Sequence, residues 1–171
     1  FSNLLHTRFM GRGDVVFLCF YTRLFEGQFV KSHAGRIFNC HPSLLPSFRG
    51  LHGFEDTLAS STTFMGSTLH AVDNSMDMGQ IILQAALPLD RSLSDSINRH
   101  LVFLTQFYSV LQFIRWIIDG RIKKGDDGKI HVQGAKWKPA IFSPNLDHNF
   151  FSYIDEPDEL ACTCANDRQT S

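Results

Sequence analysis

Asn39 and His41 lie two residues apart at the end of one apolar run, His70 sits inside a second, and Asp77 follows it by seven residues in a polar loop. An amide offers a neutral hydrogen-bond donor, imidazole a titratable one, and carboxylate an anion that takes up a proton. That set suits acyl transfer. A tetrahedral intermediate needs donors aimed at its developing oxyanion, and an attacking amine must lose a proton, directly or through water. Spacing alone leaves plainer roles open. A histidine beside a proline loop is commonly structural, and an aspartate two residues before a glycine, as Asp77 is before Gly79, is commonly a turn residue. His41, His70 and Asp77 also have the chemistry of metal ligands, but no further ligand has helpful spacing, and no metal is expected.

Such groups must be held by strand ends. Asp14 precedes Val15–Phe20, six apolar residues rich in β-branched and aromatic types, which predicts a strand buried on both faces. Arg36–Asn39 predicts a second short strand, stopped by Pro42 and Pro46. Phe64–Val72 and Gln80–Leu89 predict two more, joined by a loop over 73–79. Residues 24–34 read as helical or irregular, and 51–60 as a helix. Ser94 and Asp95 at the start and Gly120 at the end predict a long helix over 95–119. Ile97, Leu101, Leu104, Tyr108 and Leu111 form one apolar stripe on it; Phe103, Phe107, Val110, Ile114 and Ile117 form another, so burial on much of its circumference is expected. Gln106, Gln112 and Arg115 interrupt it and disfavour a membrane span. Segments 121–123 and 130–132 predict a hairpin turning at 124–129. The fold class expected is α/β, an open, mostly parallel sheet with helices on both faces. In such sheets ligands bind at the carboxyl ends of strands, where Asn39, His41 and Asp77 would meet.

The 171 residues suit one domain with a sizeable core, and 43% apolar against 19% charged residues excludes a disordered chain. A formal net charge of -1 gives no reason to expect nucleic acid or an acidic membrane as partner. The basic Arg121, Lys123 and Lys124 read as a solvated helix end. Cys19, Cys40, Cys162 and Cys164 do not make a disulfide framework, and Cys162 and Cys164 lack a second ligand pair, so a reducing, cytoplasmic setting is expected. Residues 1–144 read as the folded domain, and 145–171 as a polar tail expected to fray. Phe1 stands where methionine is usual and no signal peptide pattern follows, so the chain reads as processed, clipped or part of a longer one.

Asn39-Cys40-His41-Pro42-Ser43-Leu44-Leu45-Pro46 resembles the Asn-x-His-Pro-Ser-Leu-Leu-Pro signature of the folate-dependent formyltransferases. Gly66 to Gln84, with His70 seven residues before Asp77, resembles that family's second block. Two long blocks in order are far more specific than a lone short motif. Gly50-Leu51-His52 and Ile81-Ile82-Leu83-Gln84 resemble the phosphoribosylglycinamide formyltransferases of purine synthesis; Pro42 stands where the hydrolytic relatives carry a second histidine.

The resemblance implies a formyltransferase-type, Rossmann-like fold and a transferase of one-carbon metabolism. It would pass a formyl group from 10-formyltetrahydrofolate, as co-substrate, to a small-molecule amine, most naturally glycinamide ribonucleotide. Catalytic roles fall on Asn39 and His41, donating to the formyl oxygen, and on Asp77, moving the amine's proton. The pterin would lie against Arg23, Leu24 and Phe25 and the stretch holding Asp73, Met76 and Asp77. His70 would hold Asp77 or its loop, and Ser43 would border the acceptor.

Two departures matter. Nothing before Asp14 resembles the family's first strand and Gly/Ser-rich phosphate loop, so the domain reads as N-terminally truncated, leaving Val15–Phe20 as an exposed sheet edge. Gln106-Phe107 stands where the purine branch often has Glu-His. An amino-sugar nucleotide as acceptor, and a non-catalytic folate-binding remnant, are the alternatives.

Overall fold

Alternation in Ile37–His41 divides one short strand between two environments. Ile37 packs with Phe29 and Val30, while Phe38 packs with Leu69, Leu83, Phe113 and Trp116 on the opposite side. A computed structural model describes residues 1–20, 25, 27–73, 75, 77–138 and 140–147. Its elements are α1 (Ser2–Phe9), β1 (Phe17–Cys19), α2 (Gly27–Ser32), β2 (Ile37–His41), α3 (Gly53–Ala59), β3 (Phe64–Ala71), β4 (Ile81–Pro88), α4 (Asp95–Ile118), the hairpin strands β5 (Ile122–Lys124) and β6 (Ile130–Val132), and β7 (Phe142–Ser143). The main sheet runs β1-β2-β3-β4-β7. Helix α4 crosses β2, β3 and β4 on one face, and α2 covers β2 on the other. The α/β class and the two helical faces are as expected.

The sheet itself is mixed rather than mostly parallel. Among the described residues only β1 and β2 pair in parallel; the β2/β3, β3/β4 and β4/β7 ladders are antiparallel. The link from Ala71 to Ile81 is too short for a crossover helix, so β4 must return beside β3. A register shift between Leu69 and His70 breaks their ladder next to the loop that carries Asp77.

Strand β1 lies at the sheet edge, as expected, but is not buried on both faces as its apolar run predicts. It has three residues, all half-buried, and forms one edge of the described sheet. An edge strand lacks a neighbour, so Val16 and Phe20 are exposed despite the apolar run.

Helix α4 starts and stops as its signals dictate: the Ser94 side chain accepts from Ile97 N, and Gly120 follows with φ 64°. It is long and apolar enough to cross a membrane by length and composition. Here it lies along the sheet, with Phe113 and Trp116 fully buried. Its most buried face matches neither expected stripe as a whole, although Leu101, Tyr108 and Ile117 are partly buried against the core. It runs through Asn98, Val102, Thr105, Ser109, Gln112, Phe113 and Trp116, largely between them, and takes in Val110 of the second stripe, while Phe103, Phe107, Leu111 and Ile114 point outward. Four of those buried residues are polar and hydrogen-bonded: Asn98 to Asp90 O, Thr105 to Val102 O and the Ser67 hydroxyl, Ser109 to Thr105 O, and Gln112 to Asp147. Hydrogen-bonded polar groups are buried at little cost and conceal a core face from a hydropathy reading, although Asn98 Oδ1 is buried without a partner among the described residues.

The β5/β6 hairpin turns where expected, with Gly128 at φ 76°. Residues 145–147, at the start of the expected tail, lie against the domain. Asp147 accepts from Gln112, Trp116 and Arg121 and pins that stretch against α4.

Candidate active site

Asn39 and His41 project from the same face of β2, two residues apart, and β3 runs beside them antiparallel. Asn39 is paired with His70 and His41 with Thr68. Asp77 comes from the β3–β4 connection, on a backbone with φ 52°. Gly79 lets that connection close on the sheet, since a Cβ there would lie 1.7 Å from Ala71 O.

The groups form a chain. Asn39 Nδ2 is 3.4 Å from His70 Nε2, His70 Nε2 is 3.6 Å from Asp77 Oδ1, and His41 Nδ1 is 3.6 Å from Asp77 Oδ2. Gly50 N donates to Asp77 Oδ2 at 2.8 Å and aims the carboxylate. His70 Nδ1 faces the Ala71 carbonyl at 3.0 Å, which accepts only, so Nδ1 carries the hydrogen. Nε2 is then an acceptor in the neutral ring. Burial holds this imidazole below the ordinary 6.5, which outweighs the raising effects of the Ala71 carbonyl and Asp77 and keeps the ring neutral. Neutral His70 therefore takes its hydrogen bond from Asn39 rather than giving one to Asp77.

Ser43 is fully buried, away from the cleft, donating to Ser47 O and Phe48 O. Thr68 donates to Ser43 O, while Leu45 N and Gln84 Nε2 donate to Thr68 Oγ1. The proline loop is thus fastened to the sheet behind His41.

A cleft of about 1120 Å³ opens over these groups, with Asn39, His41, His70 and Asp77 in its wall. Phe25, Val72 and Leu51 give it apolar surface, and Lys31, Arg99, His100 and Gln106 line it as well. Phe25 and Asp73 of the expected pterin site both line it, but Asp73 Oδ1 accepts from the backbone and hydroxyl of Ser75. Arg23, Leu24 and Met76 lie outside the described residues. Among the described residues no three His, Cys, Asp or Glu side chains group to hold a metal ion.

The formyl transferase family profile matches residues 6–102, more than half of the chain. The chain belongs to the formyl transferase family. Trifunctional purine biosynthetic protein adenosine-3 of Homo sapiens is 36% identical over 117 residues, 68% of this formyl transferase chain and 12% of that protein. Phosphoribosylglycinamide formyltransferase of Escherichia coli (strain K12) is 37% identical over 122 residues, 70% of the chain and 57% of that enzyme. Among solved structures, phosphoribosylglycinamide formyltransferase from Anaplasma phagocytophilum superposes with a TM-score of 0.70 at 29% identity, covering 80% of this chain and 65% of that one. Glycinamide ribonucleotide transformylase 1 from Symbiobacterium toebii gives 0.67 at 31%, covering 77% and 62%. The chain spans less than two thirds of each of these relatives.

Sequence reasoning missed three parts of this formyl transferase site: the Phe48 carbonyl, which accepts from His41 Nε2 at 2.9 Å, the Gly50 N–H, and Gly53, where a Cβ would lie 2.5 Å from that same nitrogen. The last two had a signal, a Gly-x-x-Gly spacing just before a helix. The first had none, because a backbone carbonyl leaves no mark on residue type.

Proposed function

We propose that this chain carries the site in which a formyl group passes from 10-formyltetrahydrofolate to an amine, with glycinamide ribonucleotide as acceptor. The observation that carries this reading is the linked Asn39, His70, Asp77 and His41 set facing one large cleft. The cleft's size and its apolar wall with a few convergent polar groups suit a bicyclic ligand with a polar reacting end. When bound, the folate supplies an activated formyl group whose carbon is open to attack by nitrogen.

The protein's groups then have separate tasks. One hydrogen of Asn39 Nδ2 serves His70, leaving the second for the formyl oxygen as it gains negative charge. His41 donates to the same oxygen. Asp77, aimed by Gly50 N, takes the proton that the attacking amine must lose. On the acceptor side Gln106 gives no carboxylate, and its Nε2 is occupied by Cys40 O at 2.9 Å. The names of the relatives favour glycinamide ribonucleotide over an amino-sugar nucleotide. A cytoplasmic setting belongs to the same reading and suits the free thiols of Cys19 and Cys40.

The test is formylation of glycinamide ribonucleotide, run beside an amino-sugar nucleotide and beside calorimetry with a folate analogue. Turnover with the ribonucleotide is expected. Activity on the sugar alone overturns the acceptor, and folate binding without turnover on either makes the chain a non-catalytic binding module.

A further inference from the structure

We infer that Gln106 is a positioning residue: its side-chain amide clamps the Cys40 carbonyl, which lies between Asn39 and His41, and so fixes how those two side chains face one ligand. The consequence for catalysis rests on the function proposed above. The clamp itself does not.

Strand β2 is held unevenly where it carries the chemistry. Among the described residues the β1/β2 ladder ends at Cys19 and Asn39, whereas on the other side β3 still pairs with His41 through Thr68. Arg36 O accepts from Phe17 N of β1, and strand alternation turns the Cys40 carbonyl, four residues on, to that same side. It lies beyond the last β1/β2 pair, and Gln106 Nε2 donates to it at 2.9 Å. A carbonyl has no hydrogen to give, so the amino end of the Gln106 amide must face it. Cys40 O shares one rigid peptide plane with His41 N. Holding that oxygen therefore fixes the direction in which the chain enters His41.

The clamp is closed from both ends. Cys40 is buried, and its Sγ donates in turn to the Gln106 carbonyl at 3.9 Å. Burial pushes this thiol up to about 12, so it keeps the hydrogen it donates. One residue earlier on α4, the Thr105 hydroxyl shares a 2.8 Å hydrogen bond with that of Ser67 on β3. The turn of helix that carries Gln106 is thus tied to the sheet independently. Residue type decides the rest. Glutamate at this position would set carboxylate lone pairs against a carbonyl, and methionine would fill the space without a donor.

NMR and kinetics of Gln106→Met and Gln106→Glu test this. In the unmodified protein one Gln106 amide hydrogen should exchange slowly with solvent; free exchange of both overturns the clamp. Each variant is expected to move the Asn39 side-chain amide and His41 ring signals, and unmoved signals in both folded variants overturn it whatever the activity. Gln106→Met should lower kcat roughly 10- to 100-fold, up to the scale of an ångström-sized misplacement, with KM for the amine and for the folate changed less than about threefold. Gln106→Glu should lose at least as much. A raised KM for the amine that Gln106→Glu restores would mean that the side chain holds the acceptor instead, and overturns the positioning role, as does an unchanged kcat in folded Gln106→Met. Should neither variant fold, amide exchange in the unmodified protein decides alone. A chain with the slow amide hydrogen and no turnover on any acceptor sinks the proposed function and keeps the clamp.

Discussion

At the residue scale the site is a set of hydrogen-bond directions set by backbone carbonyls and amides. Asp77→Asn keeps an oxygen for Gly50 N but removes the carboxylate proposed as the base. Turnover should fall about 10²- to 10⁴-fold, with folate-analogue binding and urea midpoint nearly unchanged. A variant with near-full activity would end the proton-transfer role. His70 gives a pH prediction. Its value in the folded protein is held below that of the unfolded chain, so protonation favours unfolding. The stability this contributes is complete above about 6.5, the ordinary histidine value, and is lost as pH falls through the lowered one. His70→Asn, which cannot titrate, should flatten the decline of the urea midpoint between neutral and mildly acidic pH. An equally steep decline in the variant would place the cause elsewhere.

At the scale of elements, α4 and the β3–β4 connection divide the work between holding the sheet and presenting Asp77. Trp116 is wholly buried and Ile118 largely exposed on the same helix. Trp116→Ala should therefore cost about 3–5 kcal/mol and Ile118→Ala under about 0.5 kcal/mol, read from denaturant curves. Equal effects would mean that the buried face has been misplaced. In the connection, Ala71 O is the acceptor for His70 and also the atom that a Cβ at Gly79 would strike. Gly79→Ala should swing the Asp77 loop off β3. Folate-analogue affinity and turnover should then drop together, in contrast to Asp77→Asn, where only turnover drops.

For the whole molecule, Asp147 joins parts distant in sequence. It accepts from Gln112 and Trp116 on α4 and from Arg121 before the hairpin, while Phe142 sits in the core nearby. Burial acts to raise its carboxyl, but those donors, Arg121 foremost, more than offset this and leave it below the usual carboxylate range. Its contribution is thus present at neutral pH and lost as pH falls through that lowered value. Asp147→Ala strands three donors and should cost about 1–3 kcal/mol at pH 7, with less difference from the unmodified protein in acid. A midpoint unmoved at pH 7 would show that residues 145–147 do not anchor the fold.

Local order was readable from residue types. Caps, breakers and apolar runs located β2, β3, β4, α4 and the hairpin, and resemblance to the family's two blocks, more than spacing, picked out Asn39, His41, His70 and Asp77, which the fold brings together. Three things were settled only in three dimensions. The sheet is mixed, because strand direction depends on how a short connection packs. The buried face of α4 runs through Asn98, Thr105, Ser109 and Gln112, because a polar group is carried inside once it finds a hydrogen-bond partner there, on the helix itself for Ser109 and at Asp90, Ser67 and Asp147 for the others. Finally, which histidine nitrogen carries its hydrogen depends on the carbonyls of Phe48 and Ala71, and these are placed by backbone conformation rather than by any side chain.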